Sequence, residues 1–276
     1  MNVNLGDIAT FQSFLARHRR ITVLTGAGIS RAGGIPTYRD EEGVWQHSEP
    51  VQHREFLTDA SRRQRYWARS MRGWPAVRDA QPTPAHRALA ALEKTGQIEL
   101  LITQNVDRLH QRAGSERVID LHGRLDRVRC LECSTMHTRN AIQEQLLEHN
   151  PDPGNALHAR PDGDADLPPA LEQQVILPQC ISCGGMLMPD VVFFGGTVPA
   201  ARVEDCMAAL QRSDALLVVG SSLQVFSGFR FCRRASELGK AIAIINPGTT
   251  RADAIADLKL KADCQDLIPA LGQFVR

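Results

Sequence analysis

Ile21-Thr22-Val23-Leu24-Thr25-Gly26-Ala27-Gly28-Ile29-Ser30 decides the fold. Its first half is short, apolar and β-branched, and is bounded by Arg20 and Gly26, which predicts a buried parallel strand. Its second half breaks into Gly-Ala-Gly, where the backbone can turn sharply and approach a ligand with no Cβ in the way. Bare N–H groups at the top of such a strand form an anion site suited to a pyrophosphate. The two glycines alone also fit an ordinary strand-to-loop turn. The continuation, Arg31-Ala32-Gly33-Gly34-Ile35-Pro36-Thr37-Tyr38-Arg39, adds two glycines, a helix-stopping proline and an arginine placed to meet charge. It predicts a mobile lid over the site.

Outward from this stretch, helices and strands alternate. A helix from Leu5 to Arg17 precedes it, with Ile8, Phe11, Phe14 and Leu15 at helical spacing. A helix from Ala85 to Lys94, ended by Gly96, leads into a strand from Ile98 to Thr103. Strands at Val118–Leu121, Ala215–Val219 and Ala241–Ile245 follow, and the sheet is expected to resume also at Pro189–Gly196. This alternation predicts an α/β chain with a Rossmann-like parallel sheet. Small or polar residues recur at the strand ends: Gly26, Gln104, His122, Gly220 and Asn246. Ligands of open parallel sheets bind at the carboxyl ends of strands, so five such ends predict a dinucleotide-sized groove. Gln104, Asn105 and Asp107 are binding candidates there, although one of them would also serve as a helix cap. His122, between a strand end and Gly123, is placed for acid–base work.

The cysteines point to a second element. Cys130-x-x-Cys133 and Cys180-x-x-Cys183 flank a long excursion that holds a helix from Arg139 to Leu147 and a Pro/Gly/Asp-rich loop from Asn150 to Pro169. Two such knuckles predict a tetrahedral zinc site, structural because four thiolates close the shell. A redox pair is the other reading of a single Cys-x-x-Cys. Charges nearly cancel, with 32 basic against 31 acidic residues and a formal net charge of +1. That argues against a general nucleic-acid or membrane-surface binder, which would carry a basic excess. No apolar run reaches membrane-spanning length and no apolar signal core precedes the first strand, so a cytoplasmic protein without disulfides is expected.

In order, Gly-Ala-Gly-Ile-Ser at 26–30, Thr-Gln-Asn-Val-Asp at 103–107, His122-Gly123, the four paired cysteines and Gly220-Ser221-Ser222 resemble a sirtuin, an NAD-dependent protein lysine deacylase. The resemblance covers nearly the whole chain. Arg65-Tyr66-Trp67-Ala68-Arg69, Gly73-Trp74-Pro75 and Leu223-Gln224-Val225 resemble the class II branch, to which a mitochondrial member of animals belongs. The implied organisation is a discontinuous NAD-binding domain (1–39, 76–122 and 189–276) with a smaller domain inserted, helical over 40–75 and zinc-binding over 123–188.

The resemblance also implies roles. Gly26, Ala27, Gly28, Ser30, Tyr38 and Arg39 would hold the phosphates and the ribose near the nicotinamide, and Gln104 would touch that ribose. Asn105, Val106 and Asp107 would line the nicotinamide pocket, Asn105 as a catalytic residue and Asp107 reading the carboxamide. Gly220, Ser221, Ser222, Asn246, Pro247 and Gly248 would meet the adenosine half, with Cys264 near the adenine. Val192, Phe193, Phe194 and Gly195 would pair with an extended acyl-lysine peptide. His122 would take a proton from a ribose hydroxyl once the acyl oxygen has displaced nicotinamide, yielding free lysine and an O-acyl-ADP-ribose. Two positions depart from the pattern: Tyr38 replaces a common Phe, and Gly196 stands where an acidic residue is common.

Tyr66 and Arg69 lie three apart and share a helix face. The pattern is similar to that of desuccinylating sirtuins, and it implies that Arg69 pairs with an acyl carboxylate, favouring longer or acidic acyl groups. A solvated arginine on an Arg-rich helix is the alternative. The loop around Asp162-Gly163-Asp164 is expected to reach the acyl channel. Two rivals to a deacylase are an NAD-dependent ADP-ribosyltransferase and a non-catalytic NAD sensor or zinc-ribbon module. The expected partners are acyl-lysine proteins and NAD, with no nucleic acid or membrane, and the chain is expected to be monomeric.

Overall fold

The computed structural model describes residues 4–38, 40, 50–150 and 163–270. The helices are α1 (Leu5–Arg17), α2 (His53–Thr58), α3 (Ala60–Asp79), α4 (Pro84–Lys94), α5 (Leu109–Arg112), α6 (Arg139–His149), α7 (Pro169–Glu172), α8 (Ala200–Arg212), α9 (Phe226–Glu237) and α10 (Cys264–Ala270). The strands are β1 (Ile21–Thr25), β2 (Ile98–Thr103), β3 (Val118–Asp120), β4 (Gly123–Cys130), β5 (Met136–Thr138), β6 (Leu187–Val191), β7 (Ala215–Val219), β8 (Ala241–Ile245) and β9 (Leu258–Leu260).

Six strands form one sheet in the order β3-β2-β1-β7-β8-β9, every neighbouring pair parallel. All five residues of β1 and of β7 are buried: β7 is an unbroken apolar run, and the two threonines of β1 bond Ser213 and Thr103 through their hydroxyls. Alternate residues face opposite layers. Val23, Leu101, Leu217 and Ile245 pack with Phe11, Leu89 and Leu267 of α1, α4 and α10. Leu24, Ile102, Val218 and Ile244 pack with Leu210 and Phe231 of α8 and α9. The strand order reverses between β1 and β7, and the chain crosses to the other face there. That is where an open α/β sheet leaves a crevice.

The stretch at Pro189–Gly196 corrects the sequence reading. It does not extend the main sheet: β6 runs antiparallel to β4 in a separate three-stranded sheet, β5-β4-β6. The cysteines supply the reason. Cys130 ends β4, and Cys180 and Cys183 stand just before β6. Antiparallel pairing, with Cys130 opposite Leu187, brings the two knuckles together. β4 and β9 carry no apolar run and were not expected. The small sheet shares a core with α2, α3 and α6, where Phe56, Trp67 and Met71 meet Val128, Ile142 and Leu187. No helix among the described residues is long and apolar enough to cross a membrane.

The two sheets meet at Gly123, directly after His122. Its φ is +84°, and a Cβ there would lie 2.1 Å from Asp190 O. Only glycine lets β4 leave the main sheet this close to β6. Gly123→Ala should therefore cost about 2–3 kcal/mol, from left-handed strain and a backbone overlap that cannot relax by side-chain rotation. Urea denaturation measures this directly. A loss below about 0.5 kcal/mol, the scale of an ordinary surface substitution, would show that β4 can shift without cost.

Candidate active site

A cleft of about 1050 Å³ opens over the carboxyl ends of β1, β2, β7 and β8 and runs toward the small sheet. It is roomy enough for a dinucleotide and an extended side chain together. Each glycine-loop, strand-end and 192–195 residue singled out above lines it, as do His122, Tyr66, Arg69 and Cys264. The exception is Arg39, which lies outside the described residues, as does Asp162.

The glycine turn is a tight 3₁₀ coil over Ala27–Ile29, not an open cradle. Gly28 N donates to Gly220 O at 2.9 Å. A Cβ on Gly28 would fall 2.9 Å from that oxygen, and one on Gly220 would fall 2.6 Å from Ile29 N. Glycine is needed here because two turns cross, one from each side of the reversal. The 103–107 turn is bonded to the same loop. Asn105 Nδ2 donates to Gly26 O at 3.1 Å and to Ser30 Oγ at 3.0 Å. Ser30 Oγ donates in turn to Asp107 Oδ2 at 2.6 Å, and Leu109 N donates to Asp107 Oδ1 at 2.9 Å. Burial pushes the Asp107 carboxyl upward, against those two hydrogen bonds.

His122 follows β3 and is held at both ring nitrogens. Nδ1 lies 2.9 Å from Gln104 O, and Nε2 lies 2.7 Å from Ser227 Oγ. A carbonyl can only accept, so Nδ1 carries the proton and Nε2 presents the lone pair. Burial pushes this imidazole down to about 4, helped by the positive charges of Arg202 and Arg230 and opposed by the Gln104 carbonyl. His122 is thus a neutral base at neutral pH. Ser227 went unnoticed in the sequence, because a serine in the first turn of a helix reads as a cap.

Beneath the 103–107 turn lies a second buried imidazole pair. The His86 and His110 rings are 4.5 Å apart. Thr25 Oγ1 donates to Thr103 Oγ1, so His110 Nε2 must donate to Thr25 Oγ1, leaving Nδ1 as an acceptor. Thr83 N donates to His86 Nδ1, which leaves His86 Nε2 bearing hydrogen. These two remaining nitrogens have no partner among the described residues, and their roles, donor and acceptor, are complementary. Thr103 Oγ1 also accepts from Asn105 N, so the pair supports the turn that carries Asn105. Burial lowers both histidines, His86 to about 3.

At the far end of the cleft, Tyr66 meets Phe56 edge-on and Phe193 at a tilt, and burial pushes its phenol up to about 12. Arg69 does not stand open to a ligand carboxylate, as the sequence pattern implied. Its Nε and Nη2 grip Asp164 at 2.7 Å each, with Asp166 at 3.7 Å and Glu172 at 3.8 Å. The segment bearing Asp164 does reach the cleft, because α3 offers Gly73 there. A Cβ on Gly73 would meet Gly163 O at 2.3 Å. In the segment that follows β6, at 192–195, Val192 N donates to His122 O at 2.8 Å and Phe194 O accepts from His53 N at 2.8 Å. A peptide pairing with this segment would have to use its remaining backbone groups.

The four cysteine sulfurs lie outside the cleft, all within 4.8 Å of one another. Cys130 and Cys183 are 3.5 Å apart and Cys133 and Cys180 are 3.7 Å apart. A tetrahedral zinc with Zn–S bonds of about 2.3 Å sets sulfurs about 3.8 Å apart, so the donor set fits that ion and leaves no open position. His137 Nε2 lies 3.2 Å from Cys180 Sγ, where it can orient that ligand.

Three buried neutral histidines make stability depend on acid. Each has a folded value below its unfolded one of about 6.5, so below that pH the unfolded chain binds more protons. The unfolding free energy should therefore fall as pH drops from 6.5 to 4, by up to about 1.4 kcal/mol per pH unit for each fully buried histidine. Urea titrations of wild type and His110→Gln check this. The variant should show a shallower slope, and an equal slope would mean that His110 is not neutral in the fold.

Comparison with known proteins fits this geometry. Residues 26–227 match the Sir2 family. A protein of Xanthomonas axonopodis pv. citri called NAD-dependent protein deacetylase is 53% identical over 267 residues, covering 96% of this chain and 91% of its own. One of the same description from Bordetella bronchiseptica is 48% identical, covering 97% of this chain and 98% of its own. Among solved structures, a Sir2–p53 peptide–NAD+ complex is similar with a TM-score of 0.76 at 29% identity, covering 96% of this chain and 97% of the other. Sir2Tm bound to a propionylated peptide gives 0.75 at 28%, with the same coverage.

Proposed function

The chain belongs to the Sir2 family, and from that premise we propose that it is an NAD-dependent protein lysine deacylase that passes the acyl group to ADP-ribose and releases nicotinamide. One observation carries the reading. A neutral imidazole with a defined lone pair opens into the same cleft as the crossed glycine turns and the Asn105–Asp107 turn.

When bound, NAD would supply the ribose that accepts the acyl group and nicotinamide as the leaving group, and one water would balance the release of the free lysine amine. The chain's own groups do the rest. The N–H groups of Ala27, Ser221 and Ser222 would meet the anionic half of the dinucleotide, since those of Gly26, Gly28 and Gly220 already donate to the Val219, Gly220 and Ile245 carbonyls. Asn105 and Asp107 present an amide and a carboxyl to the nicotinamide carboxamide. His122 takes the proton of a ribose hydroxyl at Nε2 and returns it on product release. Tyr66, Val192 and Phe193 would enclose the acyl-lysine and keep water from the ribose carbon as nicotinamide leaves. The four cysteines would hold zinc, which supplies cross-linking and no chemistry.

The acyl group follows from the far end. Arg69 already holds the Asp164 carboxylate, and Asp164, Asp166 and Glu172 surround it. An acidic acyl group would have to take Arg69 from Asp164, so we read the resting cleft as suited to neutral acyl groups.

Mass spectrometry on an acetyl-lysine peptide with NAD tests the activity. The expected products are deacylated peptide, nicotinamide and O-acetyl-ADP-ribose, with His122→Ala at least about a hundredfold slower. An ADP-ribosylated protein in their place would favour the transferase. On a peptide panel, Asp164→Asn should raise the glutaryl-to-acetyl rate ratio and Arg69→Met should lower it. If neither moves that ratio, Arg69 has no part in acyl choice.

A further inference from the structure

Ser227 is the second residue of α9, where a serine hydroxyl would ordinarily bond the helix's own backbone. It does not do so here. The capping position belongs to Val225, and no side chain caps this helix. The Ser227 hydroxyl instead lies 2.7 Å from His122 Nε2. Because Nδ1 is committed to the Gln104 carbonyl, Nε2 has only a lone pair to offer, and Ser227 must be the donor.

The turn that delivers Ser227 is fitted to the residue that holds the other side of the ring. Gln104 Nε2 donates to Ser221 Oγ at 2.8 Å and to Thr25 O at 3.2 Å. A Cβ on Gly228, next to Ser227, would fall 2.4 Å from Gln104 Oε1. Gln104 therefore fixes Nδ1 through its backbone, while its side chain packs against the start of α9. Base, carbonyl and serine form one unit.

We propose that Ser227 is a positioning residue for the base of acyl transfer, an inference that rests on the reading of His122 given above. In the free enzyme its hydroxyl fills the place on Nε2 that a substrate hydroxyl must take, and it fixes the ring's rotamer and tautomer. When the substrate hydroxyl arrives, Ser227 turns its O–H away and Nε2 receives the substrate's proton. No bond to Ser227 is made or broken. Because Ser227 holds the ring in the free enzyme, the imidazole already has the reactive rotamer and tautomer when the substrate hydroxyl takes its place.

The test compares wild type, Ser227→Ala and Ser227→Thr in two assays on one preparation. The first is acyl transfer from an acetyl-lysine peptide with NAD. The second is exchange of labelled nicotinamide into NAD with the same peptide, which reports bond cleavage before the base acts. Ser227→Ala should lower the ratio of transfer to exchange by about tenfold, the scale of one lost hydrogen bond, without raising the peptide KM. Ser227→Thr keeps the hydroxyl and should restore the ratio to within about twofold. An equal fall in both assays, an unchanged ratio, or a threonine variant that behaves like alanine would overturn the assignment. Thermal melts establish that the variants fold. If Ser227→Ala does not, Ser227→Thr against Ser227→Cys decides by the same ratio. A wild type that does neither reaction sinks the functional reading together with this inference, whereas active wild type with an unmoved ratio sinks this inference alone.

Discussion

The site depends on a crossing of two backbones that leaves no room for side chains. At the reversal of strand order, the turn after β1 lies against the turn after β7, joined by the hydrogen bond from Gly28 N to Gly220 O. Cβ atoms on Gly26, Gly28 or Gly220 would stand 2.7, 2.9 and 2.6 Å from atoms of the opposite turn. With the glycines present, the two turns close to hydrogen-bonding distance, and both line the crevice. The sheet supplies the direction, because parallel strands deliver all these turns to one edge. The buried β-branched strands supply the rigidity, since each fully buried Ile, Val or Leu contributes about 1.5–3 kcal/mol that a shift of register would forfeit.

Charge is distributed unevenly along the cleft. Around His122 it is positive: Arg202 and Arg230 reinforce the desolvation that keeps the imidazole neutral. Around Arg65 and Arg69, at the other end, it is negative, with Asp164, Asp166 and Glu172 gathered there. Burial raises the Glu172 carboxyl, as expected for an acid in such a cluster. A buried arginine needs a counter-charge. Where the chain provides it, the arginine is no longer available to a substrate. The same Tyr-x-x-Arg spacing can therefore mean opposite things in two folded chains, depending on what a distant loop brings to it.

The difference between what could and could not be read in the sequence follows that logic. Strand β1, the glycine turn, the 103–107 turn, His122 and the zinc knuckles each carry their chemistry within a few adjacent residues, and the structure brings them to the expected places. The failures are all non-local. β6 has strong strand character, but propensity does not say which sheet a strand joins. Its partner β4 alternates polar and apolar residues and carries no buried run. Arg69 was legible as a charge on a helix face, whereas Asp164 meets it only because Gly73 lets residues 163–164 lie against α3. Ser227 and the His86–His110 pair are polar residues in apolar surroundings, and nothing local to them names their partners.

The cysteine cluster and His122 stand at opposite ends of one strand. β4 begins at Gly123, directly after His122, and ends at Cys130, so roughly 25 Å separates the two ends at the ordinary rise of a strand. A closed thiolate shell that far away has no chemical part in the reaction. Its effect is geometric. Joining Cys130 and Cys133 to Cys180 and Cys183 fixes β4 against β6, and the continuation of β6 returns to His122 through Val192 N. His122 is then bounded by three constraints of different origin: the main sheet through Gln104, the start of α9 through Ser227, and the small sheet through Gly123 and Val192. A ligand that moves the small sheet relative to the main one must move this histidine too, and the cleft between the sheets is where a dinucleotide and a peptide would meet.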